Sequence, residues 1–408
     1  MKKFDVPPVY RSTLISAVKN KRKLLDKLKK DFSPSLLDFG DLQIFLSRHF
    51  GFCYGVENAI EIAFKTIEEN PGKRIFLLSE MIHNPQVNRH LQEKGVQFLM
   101  DTAGNTLIPF ENLMPEDIVI VPAFGTTLEI EEKLSQRDIH IQKYNTTCPF
   151  VEKVWNRAGA IAGKNYSVVV HGKPTHEETR ATFSHSAKHA PTVVVRDMDQ
   201  TIELAGYIKG DKPLNEFYKE FAGQHSANFN AENDLQRIGV VNQTTMLASD
   251  TQAIADYLKQ VIIEKYDLTE NDVHLHFADT RDTLCYATYE NQSGVYGLLE
   301  TDADLAIIVG GYNSSNTSHL VELCEEKLPA YFIHSDEDII SPEEISHFNL
   351  HSKKIEKTIS FLPEKKPVRI LITSGASCPD ALVEAVIKKL VSFYGNSRPM
   401  EEILELYQ

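Results

Sequence analysis

Between residue 43 and about residue 390, short apolar runs alternate with stretches of helical periodicity, and that rhythm leaves few folds open. The runs predict strands at 74–79, 117–122, 139–144, 166–171, 192–195, 237–242, 304–310, 330–333 and 368–373, with a further short apolar run at 42–46 and an extended segment at 273–277. Helical patterns fall between most of them, including 87–94, 250–265, 318–327 and 380–390. Strands separated by helices predict an α/β protein with mostly parallel sheets. In open sheets of this kind, ligands bind beyond the carboxyl ends of the strands. The turns that follow the strands are therefore where function is to be sought.

Two stretches break the rhythm. Residues 202–236 mix polar and aromatic residues without a clear strand and read as an inserted helical excursion. Residues 12–30 predict a basic helix carrying Leu14, Val18, Leu25 and Leu28 on one side, packed on the surface of the first domain. No apolar stretch approaches the roughly 18 residues that a membrane span needs, and no continuous apolar region follows the N-terminus as in a secretory signal. A net charge of −14 argues against a nucleic-acid partner. It also means that an anionic ligand must be held by a local site rather than by the global field. Five cysteines in 408 residues fit a reducing compartment, and so a cytoplasmic location, better than a disulfide framework.

Three of those cysteines occupy the same kind of position. In the stretch YNTTCPFVEKVW, Cys148 precedes Pro149, and proline suits the first position of a helix. Cys148 thus stands at a helix N-terminus, where the macrodipole favours a thiolate. Cys53 stands between an apolar run and the helical pattern of Val56, Ala59, Ile60, Ala63 and Ile67, and Cys285 follows 273–277 and precedes another helical stretch. None belongs to a CxxC pair, so zinc-ribbon and thioredoxin readings have no support. The cysteines divide the chain into thirds, 43–145, 146–282 and 283–390, between an N-terminal extension (1–42) and a short acidic tail (391–408). Three thiolates suit an iron–sulfur cluster with one iron left open, because ferredoxin-type clusters use four.

The turns after the strands are polar. Asn313, Ser314, Ser315 and Asn316 follow 304–310, and Gly375, Ala376 and Ser377 follow 368–373. Hydroxyls, amides and N–H groups at a helix start make a receptor for phosphate or carboxylate; ordinary helix capping is the competing reading. The segment after 166–171 supplies His171, His176, Glu177, Glu178 and Thr182, a set able to bind a metal or to hold and protonate a polar substrate. Its spacing is not that of HExxH zinc sites. His83 lies past 74–79, and Asn242, Gln243, Thr244 and Thr245 past 237–242. Together these groups predict reduction or dehydration of a small phosphorylated alcohol.

These residues resemble a known family. GFCYGVENAI, the HNP at His83, TTCPFVEKVW, HGKPTHEET, NQTTML, CYAT, NSSNTSHL and TSGASCPD are similar, in order, to the motifs of the 4-hydroxy-3-methylbut-2-enyl diphosphate reductases, also called LytB. The similarity runs from about Gly51 to about Leu390. It implies three α/β domains in a trefoil around a central 4Fe-4S cluster held by Cys53, Cys148 and Cys285, a cluster that is also isolated as 3Fe-4S. It implies reductive loss of the substrate hydroxyl as water, giving isopentenyl and dimethylallyl diphosphate in the last step of the non-mevalonate isoprenoid pathway, with electrons from ferredoxin or flavodoxin. By position, His83, His176, Ser314, Ser315, Asn316 and Ser377 match residues that bind the diphosphate. Glu178 matches the proton-delivering glutamate and Thr244 a threonine near the substrate hydroxyl.

One departure stands out. Phe124 occupies a turn position where many bacterial members carry histidine, as in the plant and cyanobacterial branch, which the HEET spacing and the 202–236 insertion also resemble. Cys324 and Cys378 match no cluster ligand and read as buried or capping thiols. The alternatives are a non-catalytic iron–sulfur redox or iron sensor, a zinc-binding structural protein, and an α/β phosphosugar enzyme with incidental cysteines.

Overall fold

The computed structural model describes residues 4–278 and 283–408. The chain forms two compact units, each assembled from separate stretches: Met1–Glu57, His83–Val87 and Tyr286–Gln408 in the first, Asn58–Ile82 and Asn88–Cys285 in the second. The four sheets among the described residues are built from short strands, and the three larger ones are mainly or wholly parallel, as the alternation of strands and helices required.

The first unit is organised on a five-stranded sheet in the order Ser35–Asp38, Leu42–Leu46, Val368–Ser374, Leu305–Val309, Ala330–Ile333. Only the outer pair Ser35–Asp38 and Leu42–Leu46 is antiparallel. The central strand Val368–Ser374 pairs in parallel on both sides, with Ile372 opposite Leu46 and also opposite Ile307. Its alternate residues are buried on both faces, the pattern of a strand covered by helices. Strands from near residue 40 thus lie in the sheet of residues 305–374, a pairing that chain order does not disclose. An antiparallel hairpin, Glu344–Asn349 with Lys354–Ile359, completes the unit; it falls outside the expected strands, and its second strand is largely exposed.

The basic N-terminal segment forms a helix over Thr13–Leu25 only, with the Ser12 hydroxyl accepting from the Ile15 N–H at its start. Leu14, Ile15 and Val18 join the core of this sheet. Leu25 and Leu28 do not: they are 74% and 76% exposed, contrary to the expected stripe. The helix ends at Leu25, with Asp26 as its C-cap in a non-helical conformation. Leu28 therefore no longer follows the helical face of Leu14 and Val18.

The second unit holds two three-stranded parallel sheets, Gln97–Phe98, Ile75–Leu77, Ile118–Ile120 and Thr192–Val195, Ser167–His171, Ile238–Asn242. The insertion is helical as expected, with Met198–Lys209, Leu214–Glu220 and Ala231–Asp234 packing Phe217, Phe221 and Phe229 against Tyr207. Among the described residues the expected strand 139–144 does not form, and the extended segment 273–277 forms no strand either. Within 139–144, Ile139 and Ile141 point inward as alternation demands, but only Asn145 reaches the neighbouring strand, through a bridge to Val121, and Gln142–Tyr144 closes into a 3₁₀ turn. Within 273–277, Val273–Leu275 is likewise a 3₁₀ turn and only Phe277 bridges, to Ile238. Cys324 and Cys378 are fully buried. No helix among the described residues is long and apolar enough to cross a membrane.

Ile15 is fully buried although it lies in the N-terminal extension. Ile15→Ala is expected to cost roughly 2–5 kcal/mol of stability by removing packed methylenes, read as a lower denaturant midpoint. An unchanged midpoint would show that the extension is not part of this core.

Candidate functional site

In the first unit, three turns leave the carboxyl ends of neighbouring parallel strands: after Leu46 towards Cys53, after Val309 towards Ser314, and after Ser374 towards Ser377. The backbone of Ala376 ties them together. Its N–H donates to Asn316 Oδ1 (3.0 Å), and its carbonyl accepts from the Cys53 N–H (3.1 Å). Asn316 Oδ1 also accepts from Asn291 Nδ2 (3.3 Å), and Asn316 Nδ2 approaches Thr288 Oγ1 (3.5 Å). Ser377 Oγ donates to the carbonyl of His83 (3.0 Å). This approach depends on glycine: a Cβ on Gly375 would strike Thr317 Oγ1, which sits beside the turn.

The helix Ser315–Glu325 begins at this point, capped by Ser314, whose Oγ accepts from the Thr317 N–H (3.3 Å). Capping, the bland alternative, thus accounts for Ser314. It does not account for Ser315, whose Oγ is buried without a hydrogen-bond partner. A buried hydroxyl in that state is costly unless something else completes it. Ser314, Ser315, Asn316, Ser377 and His83 are all at least nine-tenths buried. The unit offers an anion neutral donors and a helix N-terminus, and none of these groups is a lysine or arginine.

In the second unit the centre is Glu178, 1% exposed at the start of the helix Glu177–Ala187. One carboxylate oxygen accepts from the Thr244 N–H (2.5 Å) and the other from Thr244 Oγ1 (3.0 Å). Thr244 is held in turn, since its carbonyl accepts from the Cys285 N–H (3.2 Å). Asn242 and Thr283 bond to each other through side chain and backbone, fixing the segment that leads to Cys285. Gln243 Oε1 accepts from Thr179 Oγ1 (2.9 Å) and the Lys173 N–H (3.2 Å), locking the start of the glutamate's helix to the Thr244 turn.

Cys148 caps the helix Pro149–Ala162, with its N–H bonded to the Ala123 carbonyl (2.9 Å). The expectation that the helix start makes it a thiolate is corrected. Burial pushes its pKa up to about 11; hydrogen bonds from the first helical N–H groups pull it down, and the charges of Cys285 and Glu178 push it up further. The dipole is outweighed by desolvation and by two acidic neighbours. A thiol so placed stays protonated at neutral pH unless a cation stabilises it, and metal coordination does so. Paired thiols of this kind fit a metal–sulfur group. Among the described residues no three His, Cys, Asp or Glu side chains are gathered tightly enough for a lone ion.

His176 is the N-cap of the helix that carries Glu178, and its Nδ1 accepts from the Glu178 N–H (3.1 Å). That bond places the proton of a neutral ring on Nε2, so Nε2 is the ring's donor. Phe124 packs edge-on against the same imidazole, centroids 5.6 Å apart, so the residue at the histidine position supports a donor rather than supplying one. Not every candidate joins the site. His171 turns to Thr251 Oγ1 (3.2 Å), Glu177 receives the Ser79 hydroxyl, and Thr182 accepts from Trp155 Nε1 (3.2 Å). Thr288, Asn291 and Thr283 escaped the sequence reading. Thr288 lies in the CYAT stretch, three residues after Cys285, and that proximity was the available signal.

The LytB protein family matches residues 44–391 of this chain. Among curated relatives, the 4-hydroxy-3-methylbut-2-enyl diphosphate reductase of Synechococcus sp. (strain CC9605) is 39% identical over 363 residues, 88% of each chain. That of Synechocystis sp. (strain ATCC 27184 / PCC 6803 / Kazusa) is 38% identical over 90% of this chain and 94% of its own. The solved E-1-hydroxy-2-methyl-but-2-enyl-4-diphosphate reductase from Plasmodium falciparum shares the fold at a TM-score of 0.62 and 21% identity, over 89% of this chain and 97% of that one. With residues 44–391 of 408 matched, and relatives near 40% identity over most of both chains, this chain belongs to the LytB family.

Proposed function

We propose that this chain reduces 4-hydroxy-3-methylbut-2-enyl diphosphate to isopentenyl and dimethylallyl diphosphate, the closing step of the non-mevalonate isoprenoid pathway. The observation that carries the reading is the buried Glu178, bonded through both oxygens to Thr244 and in electrostatic contact with Cys148. Cys53, Cys148 and Cys285 are the residues that would hold a 4Fe-4S cluster. Such a cluster passes single electrons and offers a Lewis-acid position where one iron lacks a protein ligand. The relatives named as this reductase support the assignment.

The reaction converts a carbon–oxygen bond, two electrons and two protons into a carbon–hydrogen bond and water. Hydroxide is a poor leaving group and water a good one, so a proton must reach the hydroxyl as that bond breaks. Glu178 is the proton donor in this reading, and Thr244 sets its orientation through two hydrogen bonds. The second proton goes to one of two allylic carbons, which yields the two product isomers. His83, His176, Ser314, Ser315, Asn316 and Ser377 bind the diphosphate. The orphaned Ser315 hydroxyl and the Nε2 proton of His176 favour an acceptor-rich ligand. Burial of these donors excludes water, which would otherwise compete for the same bonds.

Three outcomes test this. Glu178→Gln is expected to lower kcat by about 10²- to 10⁴-fold, the usual contribution of a positioned general acid, with cluster absorbance and iron content intact; full turnover would rule out the proton route. Cys148→Ser is expected to lose or destabilise the cluster, read from iron content and visible absorbance, and an unaltered spectrum would remove Cys148 from the ligand set. Ser315→Ala is expected to raise KM roughly tenfold or more, since a hydrogen bond to a charged group contributes about 1.5–3 kcal/mol. Thermal stability should not fall in that variant, because its hydroxyl bonds to nothing in the protein; a stability loss at unchanged KM would make Ser315 structural.

A further inference from the structure

The first unit contains a cleft of about 300 Å³ whose basic lining has no part in the chemistry above. Cys53 forms part of its wall, and Lys19, Lys23, Lys27, Lys29 and Arg48 line it, against only two carboxylates, Glu57 and Glu290. The chain as a whole carries −14. Residues 12–30 account for most of the contrast, with six lysines and Arg22 against the single acid Asp26. Lys19 and Lys29 are committed to Asp380 (2.6 Å) and Glu290 (2.7 Å). Lys23 and Lys27 are exposed and make no ion pair among the described residues. Beside them Leu24, Leu25 and Leu28 are 73–76% exposed. Those are the leucines that the core declined.

We infer that the basic N-terminal segment, Lys23 and Lys27 with Leu24, Leu25 and Leu28, is the docking surface for a small acidic iron–sulfur electron carrier that delivers electrons on the Cys53 side. The inference rests on the reductase reading, which requires an external reductant. A cationic rim around a small apolar centre is the composition of a weak electron-transfer encounter, in which charge sets the association rate and area stays low. The partner's charge follows from the cleft's: a local excess of cations on a strongly acidic protein selects an acidic partner and orients it. Each encounter transfers one electron, so two encounters supply the pair that the reduction consumes. An anionic membrane is the competing occupant. The helix Thr13–Leu25 argues against it, because its apolar residues Leu14, Ile15 and Val18 are committed to the core and unavailable to lipid.

The test uses the full chain with its cluster and the exposed double substitution K23E/K27E. The varied reductant is a reduced acidic [2Fe–2S] ferredoxin, and the control is reduced methyl viologen, a small cation. The ferredoxin kcat/KM is expected to fall about tenfold or more at low ionic strength, with a matching rise in the Kd of oxidised ferredoxin by titration. The difference should collapse near 1 M salt, where the Debye length is roughly 3 Å. Viologen-driven turnover and cluster absorbance should not change. L24S/L28S should weaken ferredoxin binding without altering its salt dependence. Unchanged ferredoxin binding and kinetics in K23E/K27E would overturn the inference. So would binding of wild-type protein to phosphatidylglycerol vesicles that K23E/K27E abolishes while ferredoxin kinetics stay constant. If viologen drives no turnover but ferredoxin binding still depends on Lys23 and Lys27, the docking surface stands and the reductase reading falls.

Discussion

The parallel pairing of Val368–Ser374 with a strand on each side is the constraint on which the first unit depends. That strand holds the register of Leu42–Leu46 and Leu305–Val309, so the turns that follow all three end at the same edge of the sheet. Once they do, one peptide can serve two of them: Ala376 donates to Asn316 and accepts from Cys53. The turns at that edge are both polar and buried, with Ser314, Ser315, Asn316 and Ser377 all at least nine-tenths covered. Capping explains one serine of the pair after Val309 and leaves its neighbour with an unanswered hydroxyl.

The second unit reaches a comparable result by another route. Its acid is held by side chain and backbone of a single threonine, and that threonine's carbonyl holds Cys285. Glu178, Thr244 and the Cys285 backbone therefore sit in one hydrogen-bonded assembly, and a change at any member is felt by the rest. Burial dominates its electrostatics. The helix start at Cys148 is real, but a partial positive charge there is too small to offset lost solvation and two negative neighbours.

Much of this was legible in the residues. Strand and helix alternate with clear periods, so parallel α/β sheets followed from pattern alone, as did the polar turns at strand ends. What failed did so for identifiable reasons. Residues 139–144 alternate correctly but lack a partner long enough to form a ladder, and no single-strand pattern reports its partner. Leu28 fits a helical stripe on paper, yet the helix stops at Leu25. The pairing of residues 42–46 with 368–372 is a contact between distant stretches, invisible to any local window. Among candidate site residues, the cysteines, histidines and Glu178 stand out in the sequence because their chemistry is rare. Thr283, Thr288 and Asn291 were missed because threonine and asparagine are common, and only their partners reveal their work.

The stitched construction of the first unit also bears on how the protein is made. Its sheet needs Leu42–Leu46, Leu305–Val309 and Val368–Ser374 together, so the early strands leave the ribosome some three hundred residues before the strand that must lie beside them. During that interval Leu42, Ile44 and Leu46, fully buried in the finished sheet, have only Ser35–Asp38 and the N-terminal part of their core beside them. Closing so long a loop is slow, and exposed strand edges are what chaperones bind. The second unit, whose strands all lie between residues 75 and 242, can pair its strands while synthesis continues. Assembly of the first must wait for the C-terminal quarter of the chain, so Cys53 is translated long before its turn has the Ala376 carbonyl to fix it.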